Sequence, residues 1–153
     1  SYMLIYSRYG VYISEGGFQT NSAAYMVNWF GVFPQEYDTY DELGKISPLI
    51  HANQTLHVQD YVFIERNISN PGDPLLKEAI LKYGVLHVTY DATQLNPTDY
   101  NFYSNSTSSD HAVGLVGWDD NYPKENFVNQ PPGDGAWIIK NSWGTEWGEE
   151  GYG

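Results

Sequence analysis

A histidine and an asparagine, each at the end of a predicted strand, are the residues of this chain best suited to catalysis. His111 precedes the apolar run 112–118, and Asn141 follows the run 137–140. An imidazole can take a proton from a nucleophile near neutral pH. A side-chain amide oxygen can accept a hydrogen bond from one ring nitrogen and so fix the orientation of the ring. The two residues could therefore supply the base and the orienting group of a nucleophilic site.

The nucleophile that such a pair would activate is missing, because the sequence contains no cysteine. A histidine can form a thiolate–imidazolium pair with a cysteine, and the thiolate is the reactive species. Two interpretations follow: the nucleophile lies outside these residues, or the chain is an inactive relative of an enzyme. The absence of cysteine also excludes disulfides and thiolate metal sites within this sequence.

Composition indicates a folded, acidic protein. The chain has 153 residues, enough for one ordinary domain or for pieces of two. It is 41% hydrophobic and 17% charged, which argues against disorder. A net charge of −12 speaks against nucleic acid or an anionic membrane as a partner. No apolar run approaches the roughly 18 residues of a membrane span.

Two features favour an exported protein, extracellular or at the cell surface. The chain has few lysines and many tyrosines and is acidic overall. It also contains three Asn-x-Ser/Thr sequons, which begin at Asn53, Asn67 and Asn105.

Apolar spacing predicts two helices. The first begins near Asn21-Ser22, carries Ala23, Met26, Val27 and Phe30 on one face, and stops at Gly31. In the second, Asp73 is the N-cap and Pro74 lies in the first turn. Its apolar face comprises Leu76, Ala79, Ile80 and Tyr83, and Gly84 ends it.

Runs of β-branched, aromatic and apolar residues predict strands at 58–64, 85–90, 112–118 and 137–140. Between the last two, residues 119–135 contain three prolines and a Gly-Asp-Gly sequence, which predict a long excursion. Its acidic residues lack the register of a calcium loop, so no metal site is predicted there. Strands combined with two helices place the chain in the α+β class.

Two sequence blocks resemble those of the papain family of cysteine peptidases. They are Asp110-His111-Ala112-Val113 and Lys140-Asn141-Ser142-Trp143-Gly144, the latter followed by Trp147-Gly148 and Gly151-Tyr152. Residues 76–91 resemble the start of the family's barrel domain, and Gly16-Gly17 resembles its substrate-cleft glycines. The likeness spans most of residues 14–153. It implies part of a papain-like two-domain fold: a small helical remnant over 1–46 and a β-barrel-like antiparallel domain over 47–153.

The resemblance also implies a role for each site residue. His111 would accept and donate the proton, Asn141 would orient it, and Trp143 would shield their hydrogen bond from water. Four further residues fall in the substrate cleft. These are Trp147 on the leaving-group side, Asp110 beside the histidine, and Gly16 and Gly17, whose backbone would hydrogen-bond an extended peptide.

The implied enzyme is a cysteine-type endopeptidase that acts on peptides or proteins and needs no cofactor. Its cysteine is expected about 20–40 residues before Ser1, so these residues alone are expected to be inactive. An inactive papain-like module that binds a peptide or partner remains an alternative. The 14 tyrosines and 5 tryptophans leave a second one, a surface adhesion or carbohydrate-binding β-module.

Overall fold

The computed structural model describes residues 17–29, 32, 34, 56–67, 69–93, 95 and 100–153. The chain divides into two compact units, Ser1–Phe63 and Ile64–Gly153, each taken by itself below. The predicted domain boundary after residue 46 lies outside the described residues. None of the helices in the described ranges is long and apolar enough to cross a membrane.

In the first unit, helix α1 spans Gln19–Val27. It begins two residues before the predicted start. Phe18 is the N-cap residue, and no side chain caps the helix. It also ends earlier than predicted, because Trp29 adopts a left-handed backbone conformation with φ of 61°. Val27, predicted on the buried face, is exposed, whereas Ala23 is buried as expected.

The strand predicted over residues 58–64 is wrong: those residues form neither a helix nor a strand. The nearest β contact in the described residues is an isolated antiparallel bridge between Val32 and Leu56. The β-branched and aromatic side chains of this segment favour an extended backbone, but a strand also needs a neighbouring strand to pair with. Val62 and Phe63 are exposed.

Helix α2, Pro74–Tyr83, opens the main structure of the second unit and confirms the predicted capping. The Asp73 carboxylate is only 1% exposed. It accepts hydrogen bonds from Leu75 N at 3.0 Å and from Asn67 N at 2.7 Å. Leu76, Ala79 and Ile80 are buried as predicted, but Tyr83 is exposed. One side chain therefore starts the helix and also fixes the chain before it.

Replacing Asp73 by Ala should lower the free energy of unfolding by about 2 kcal/mol, since it removes the cap and leaves the Asn67 N–H without its acceptor. Chemical denaturation would measure the loss. Asp73→Asn keeps an acceptor oxygen at the cap and should lose less. Asp60→Ala, which removes an exposed bond to Tyr61 N, should be nearly neutral. An Asp73→Ala loss no larger than that of Asp60→Ala would contradict this account.

Three antiparallel strands form the sheet of the second unit in the order β1-β2-β3. They are β1 Leu86–Tyr90, β2 His111–Asp119 and β3 Ala136–Lys140. These confirm three of the predicted strands to within one residue at each end. The β2–β3 register shifts between Leu115 and Gly117.

The core lies between α2 and one face of this sheet. Leu76, Ile80 and Leu115 form its centre, and six partly buried residues pack against it: Ile64, Leu86, Val88, Trp118, Trp137 and Ile139. The helices and the antiparallel sheet confirm the α+β class. Closure of the sheet into a barrel stays a prediction.

The predicted excursion between β2 and β3 is an ordered loop with a short 3₁₀ helix, Lys124–Asn126. The Asp134 carboxylate accepts from Lys124 N at 3.1 Å, and Gly135 N donates to Tyr122 O at 2.8 Å. An ion pair between Lys77 and Asp120 joins the loop to α2. The loop is therefore joined to α2 within the second unit, and it leaves β2 and β3 as direct neighbours.

Candidate active site

The site is built where the start of β2 meets the end of β3. Because the two strands are antiparallel neighbours, His111, the first residue of β2, comes close to Asn141, the residue after β3. His111 Nε2 and Asn141 Oδ1 are 2.9 Å apart. The amide oxygen can only accept, so Nε2 carries the hydrogen and donates it. In the neutral ring, Nδ1 is then the nitrogen with the lone pair, the one that can act as a base.

The orientation of the Asn141 amide is fixed by a second donor. Ser142 N also donates to Oδ1, at 2.8 Å. A backbone N–H cannot accept, so the atom that faces it must be the amide oxygen. Asn141 is 8% exposed, and its own N–H donates to Gly151 O at 2.9 Å. The orienting group is therefore buried and held from both backbone and side chain.

The residues after Asn141 fold back onto β3. Ile139 and Gly153 exchange two backbone hydrogen bonds, at 2.8 and 3.1 Å, and Lys140 forms a bridge with Tyr152. Between them, Gly151 N donates to Trp147 O at 2.7 Å. This returning segment, residues 144–153, supports the Asn141 backbone through Gly151.

Two tryptophans extend the site beyond the histidine. The Trp143 ring lies 4.9 Å from the His111 ring at an interplanar angle of 33°, and Trp147 meets Trp143 at 5.8 Å and 86°. Trp143 is 46% exposed and covers one side of the imidazole, whereas Trp147 is 6% exposed. Trp147 therefore offers little surface to a substrate in this arrangement, and its predicted place on the leaving-group side stays a prediction.

Tyr90 contacts His111 from β1, at 5.6 Å between ring centroids and an interplanar angle of 74°. Burial and the negative charge of Asp110 raise the pKa of Tyr90, so its hydroxyl stays protonated near neutral pH. The Asp110 carboxylate accepts from Ala92 N at 2.7 Å, and Asp110 N donates to Tyr90 O at 3.1 Å. Asp110 is thus bonded to the end of β1, and its predicted contact with substrate stays a prediction.

The two glycines of the predicted cleft belong to the first unit. Gly17 precedes α1 in the first unit, and Gly16 lies outside the described residues. Their backbone contacts with an extended peptide therefore stay predictions. Within the described ranges, no group of three or more His, Asp or Glu residues could hold a metal ion.

Sequence reasoning missed Tyr90 as a neighbour of the histidine. The signal was indirect: Leu86, Val88 and Tyr90 are every second residue of a predicted strand and therefore share one of its faces. Which residue stands opposite Tyr90 depends on the pairing of β1 with β2, and the sequence does not specify that register.

Comparison with known proteins gives the relationship directly. The family model described as papain family cysteine protease matches residues 7–153. Testin-2 of Mus musculus is 30% identical over 148 residues, which cover 90% of this chain and 40% of Testin-2. Cathepsin K of Gallus gallus is 29% identical over 148 residues, 90% of this chain and 39% of the cathepsin. The chain thus spans about two fifths of the length of these curated relatives.

Solved structures agree on the fold. Digestive procathepsin L 3 of Tenebrio molitor matches with a TM-score of 0.67 and 24% identity, over 99% of this chain and 47% of that one. The clostridial cysteine protease Cwp84 matches with a TM-score of 0.66 and 24% identity, over 90% of this chain and 36% of that one. By the match of the family model to residues 7–153, this chain belongs to the papain family of cysteine proteases.

Proposed function

We propose that these residues supply the base and the orienting amide of a cysteine-type endopeptidase, whose nucleophilic cysteine comes from outside the 153 residues. The observation that carries the proposal is the His111 Nε2–H bond to Asn141 Oδ1 at 2.9 Å. It leaves Nδ1 as the basic nitrogen. An asparagine holds the ring without adding a charge, which suits a site that must also hold a thiolate–imidazolium pair.

The reaction proceeds in two stages. Nδ1 takes the thiol proton, and the thiolate attacks the peptide carbonyl to form an acyl-enzyme. His111 then gives the proton to the leaving amine, and in the second stage it activates water that hydrolyses the acyl group. Throughout both stages, His111 Nε2–H stays hydrogen-bonded to Asn141 Oδ1. Trp143 covers the pair and keeps water from competing for the bond.

The inactive relative is the competing function, and the absence of cysteine from the chain is the observation that favours it. Such a protein would bind a peptide without cutting it. The two hydrogen bonds that Asn141 Oδ1 accepts, from His111 Nε2 and Ser142 N, argue against this function, because peptide binding alone does not require them. Carbohydrate binding has less support, since the described aromatic side chains of the site pack around His111 rather than forming an open platform.

Export of the protein stays a prediction. The sequon residues Asn67 and Asn105 are exposed, which is compatible with it.

Labelling of the natural protein that contains these residues with a thiol-directed epoxide tests the proposal. We expect stoichiometric modification of one cysteine, located by peptide mapping, and its loss in His111→Ala, because the histidine generates the thiolate. His87→Ala, which alters an exposed histidine of β1, should label as wild type. A correctly folded protein that takes up no label would overturn the peptidase and leave the inactive relative.

A further inference from the structure

We propose that Tyr90 is a positioning residue for His111. Its ring fixes the plane of the imidazole. Nε2–H therefore stays hydrogen-bonded to Asn141 Oδ1, and the lone pair of Nδ1 points in one fixed direction. The consequence for catalysis rests on the proposed peptidase function. The orientation of the ring is a property of the fold and can be measured separately.

The strand register places His111 at the end of a row of core residues. Three cross-strand pairs follow one another on the inner face of β1 and β2: Leu86 with Leu115, Val88 with Val113, and Tyr90 with His111. Residues two apart on a strand share a face, and directly opposed side chains touch. The first two pairs are aliphatic and form the core. The third continues the same row with two rings, so the position of the imidazole is tied to the packed interior.

Three neighbours restrict the imidazole from different sides. Asn141 holds its Nε2 edge, Trp143 lies across it at 4.9 Å and 33°, and Tyr90 meets it at 5.6 Å and 74°. The hydrogen bond alone would let the ring turn about the N–H···O direction. Trp143 is partly exposed and restricts that turn from the solvent side. Tyr90 is the neighbour that restricts it from the protein interior.

Tyr90 is itself held in place, which a positioning residue requires. Its ring contacts Phe102 at 6.0 Å and 54°, and its backbone oxygen accepts from Asp110 N, the residue before the histidine. Aromatic contacts of this geometry stabilise a particular relative orientation of the two rings. The tyrosine thus joins β1, the 100–110 segment and His111.

The ring, and not the hydroxyl, carries this role. Within the described part of the chain, Tyr90 Oη is buried and has no hydrogen-bond partner. A buried hydroxyl without a partner is destabilising, so its removal should not weaken the site. Phenylalanine should therefore replace Tyr90 in function, whereas leucine, which fills the space without a planar ring, should not.

The test uses Tyr90→Phe and Tyr90→Leu in the natural protein, with two readouts. In steady-state hydrolysis of a fluorogenic peptide, Tyr90→Phe should stay within about threefold of wild-type kcat, and Tyr90→Leu should lose about tenfold or more with KM little changed. The ¹⁵N NMR of the imidazoles is recorded in alkaline buffer after the reactive cysteine has been alkylated, so that no thiolate–imidazolium pair forms and the ring is neutral. Wild type and Tyr90→Phe should then show His111 as the Nε2–H tautomer. Tyr90→Leu should show a mixture.

Val88→Ala is the matched control, since it removes packing one pair away in the same row. It should lower the melting temperature and leave kcat and the tautomer unchanged. The proposal is overturned if Tyr90→Leu keeps the wild-type tautomer, if Tyr90→Phe behaves as Tyr90→Leu, or if Val88→Ala alters the tautomer equally. A wild-type protein without peptidase activity would contradict the proposed function, and the tautomer would still decide the role of Tyr90.

Discussion

Replacing His111 by Ala in the natural protein is expected to lower kcat/KM for peptide hydrolysis by about 10³-fold or more. The variant loses the group that forms the thiolate, protonates the leaving amine and activates water, and general acid–base catalysis alone contributes about 10²–10⁴-fold. No other described side chain hydrogen-bonds to Asn141 Oδ1 in a way that could replace it. Steady-state kinetics with a fluorogenic peptide would measure the loss.

Two further variants separate this effect from a general disturbance of the sheet. His87→Ala changes an exposed histidine opposite Gly114 and should leave kcat/KM within about twofold of wild type. Asn141→Ala keeps the imidazole but removes its orienting oxygen, so a loss of about 10²-fold is expected, smaller than for His111→Ala. If His111→Ala retained more than about a tenth of wild-type activity, the histidine would not be the base.

The parts of the fold that could be predicted are those that local chemistry determines. Asp73, Pro74 and Gly84 bound α2 because a cap, a fixed φ and a helix-ending glycine act within one turn. The strands β1, β2 and β3 follow from continuous apolar or alternating runs. Nothing in these signals depends on distant residues, which is why they could be read from the sequence.

The errors fall where a distant partner decides. Residues 58–64 have strand-forming side chains but no neighbouring strand among the described residues. Helix α1 ends at Val27, before its predicted last turn, and Trp29 just beyond it has a positive φ. The helix boundary depends on a single residue in the left-handed conformation, which a tryptophan adopts only when its surroundings impose it.

The site shows the same division. His111 and Asn141 could be chosen from the sequence because their side chains have the right chemistry, but their 2.9 Å bond depends on β2 and β3 being antiparallel neighbours. The contact of Tyr90 with His111 depends on the register of β1, and the burial of Trp147 depends on the returning segment. Residue type thus predicts candidates, and strand pairing decides which of them meet.

The returning segment itself leads to the second large effect. Replacing Gly148 by Ala is expected to lower the free energy of unfolding by about 3 kcal/mol or more. Gly148 has φ of 62°, and a Cβ added there would overlap the carbonyl oxygen of Tyr152. That oxygen accepts from Glu149 N at 2.8 Å, so it cannot withdraw without breaking the turn. Chemical denaturation of the natural protein and its variant would measure the loss.

The same substitution should also disturb the active site, because moving Tyr152 displaces the segment whose Gly151 O accepts the hydrogen bond from Asn141 N. Kcat should therefore fall as well, in the fraction of Gly148→Ala protein that remains folded.

Two matched alanine variants separate the steric overlap with the Tyr152 carbonyl from the effect of the positive φ. Gly133→Ala meets open space, so it should change stability by less than about 0.5 kcal/mol. Gly144→Ala has φ of 87° but open space, so it should lose only about 1 kcal/mol, the backbone contribution. If Gly148→Ala lost no more than Gly144→Ala, the close approach of the Tyr152 carbonyl would not be what requires glycine at position 148.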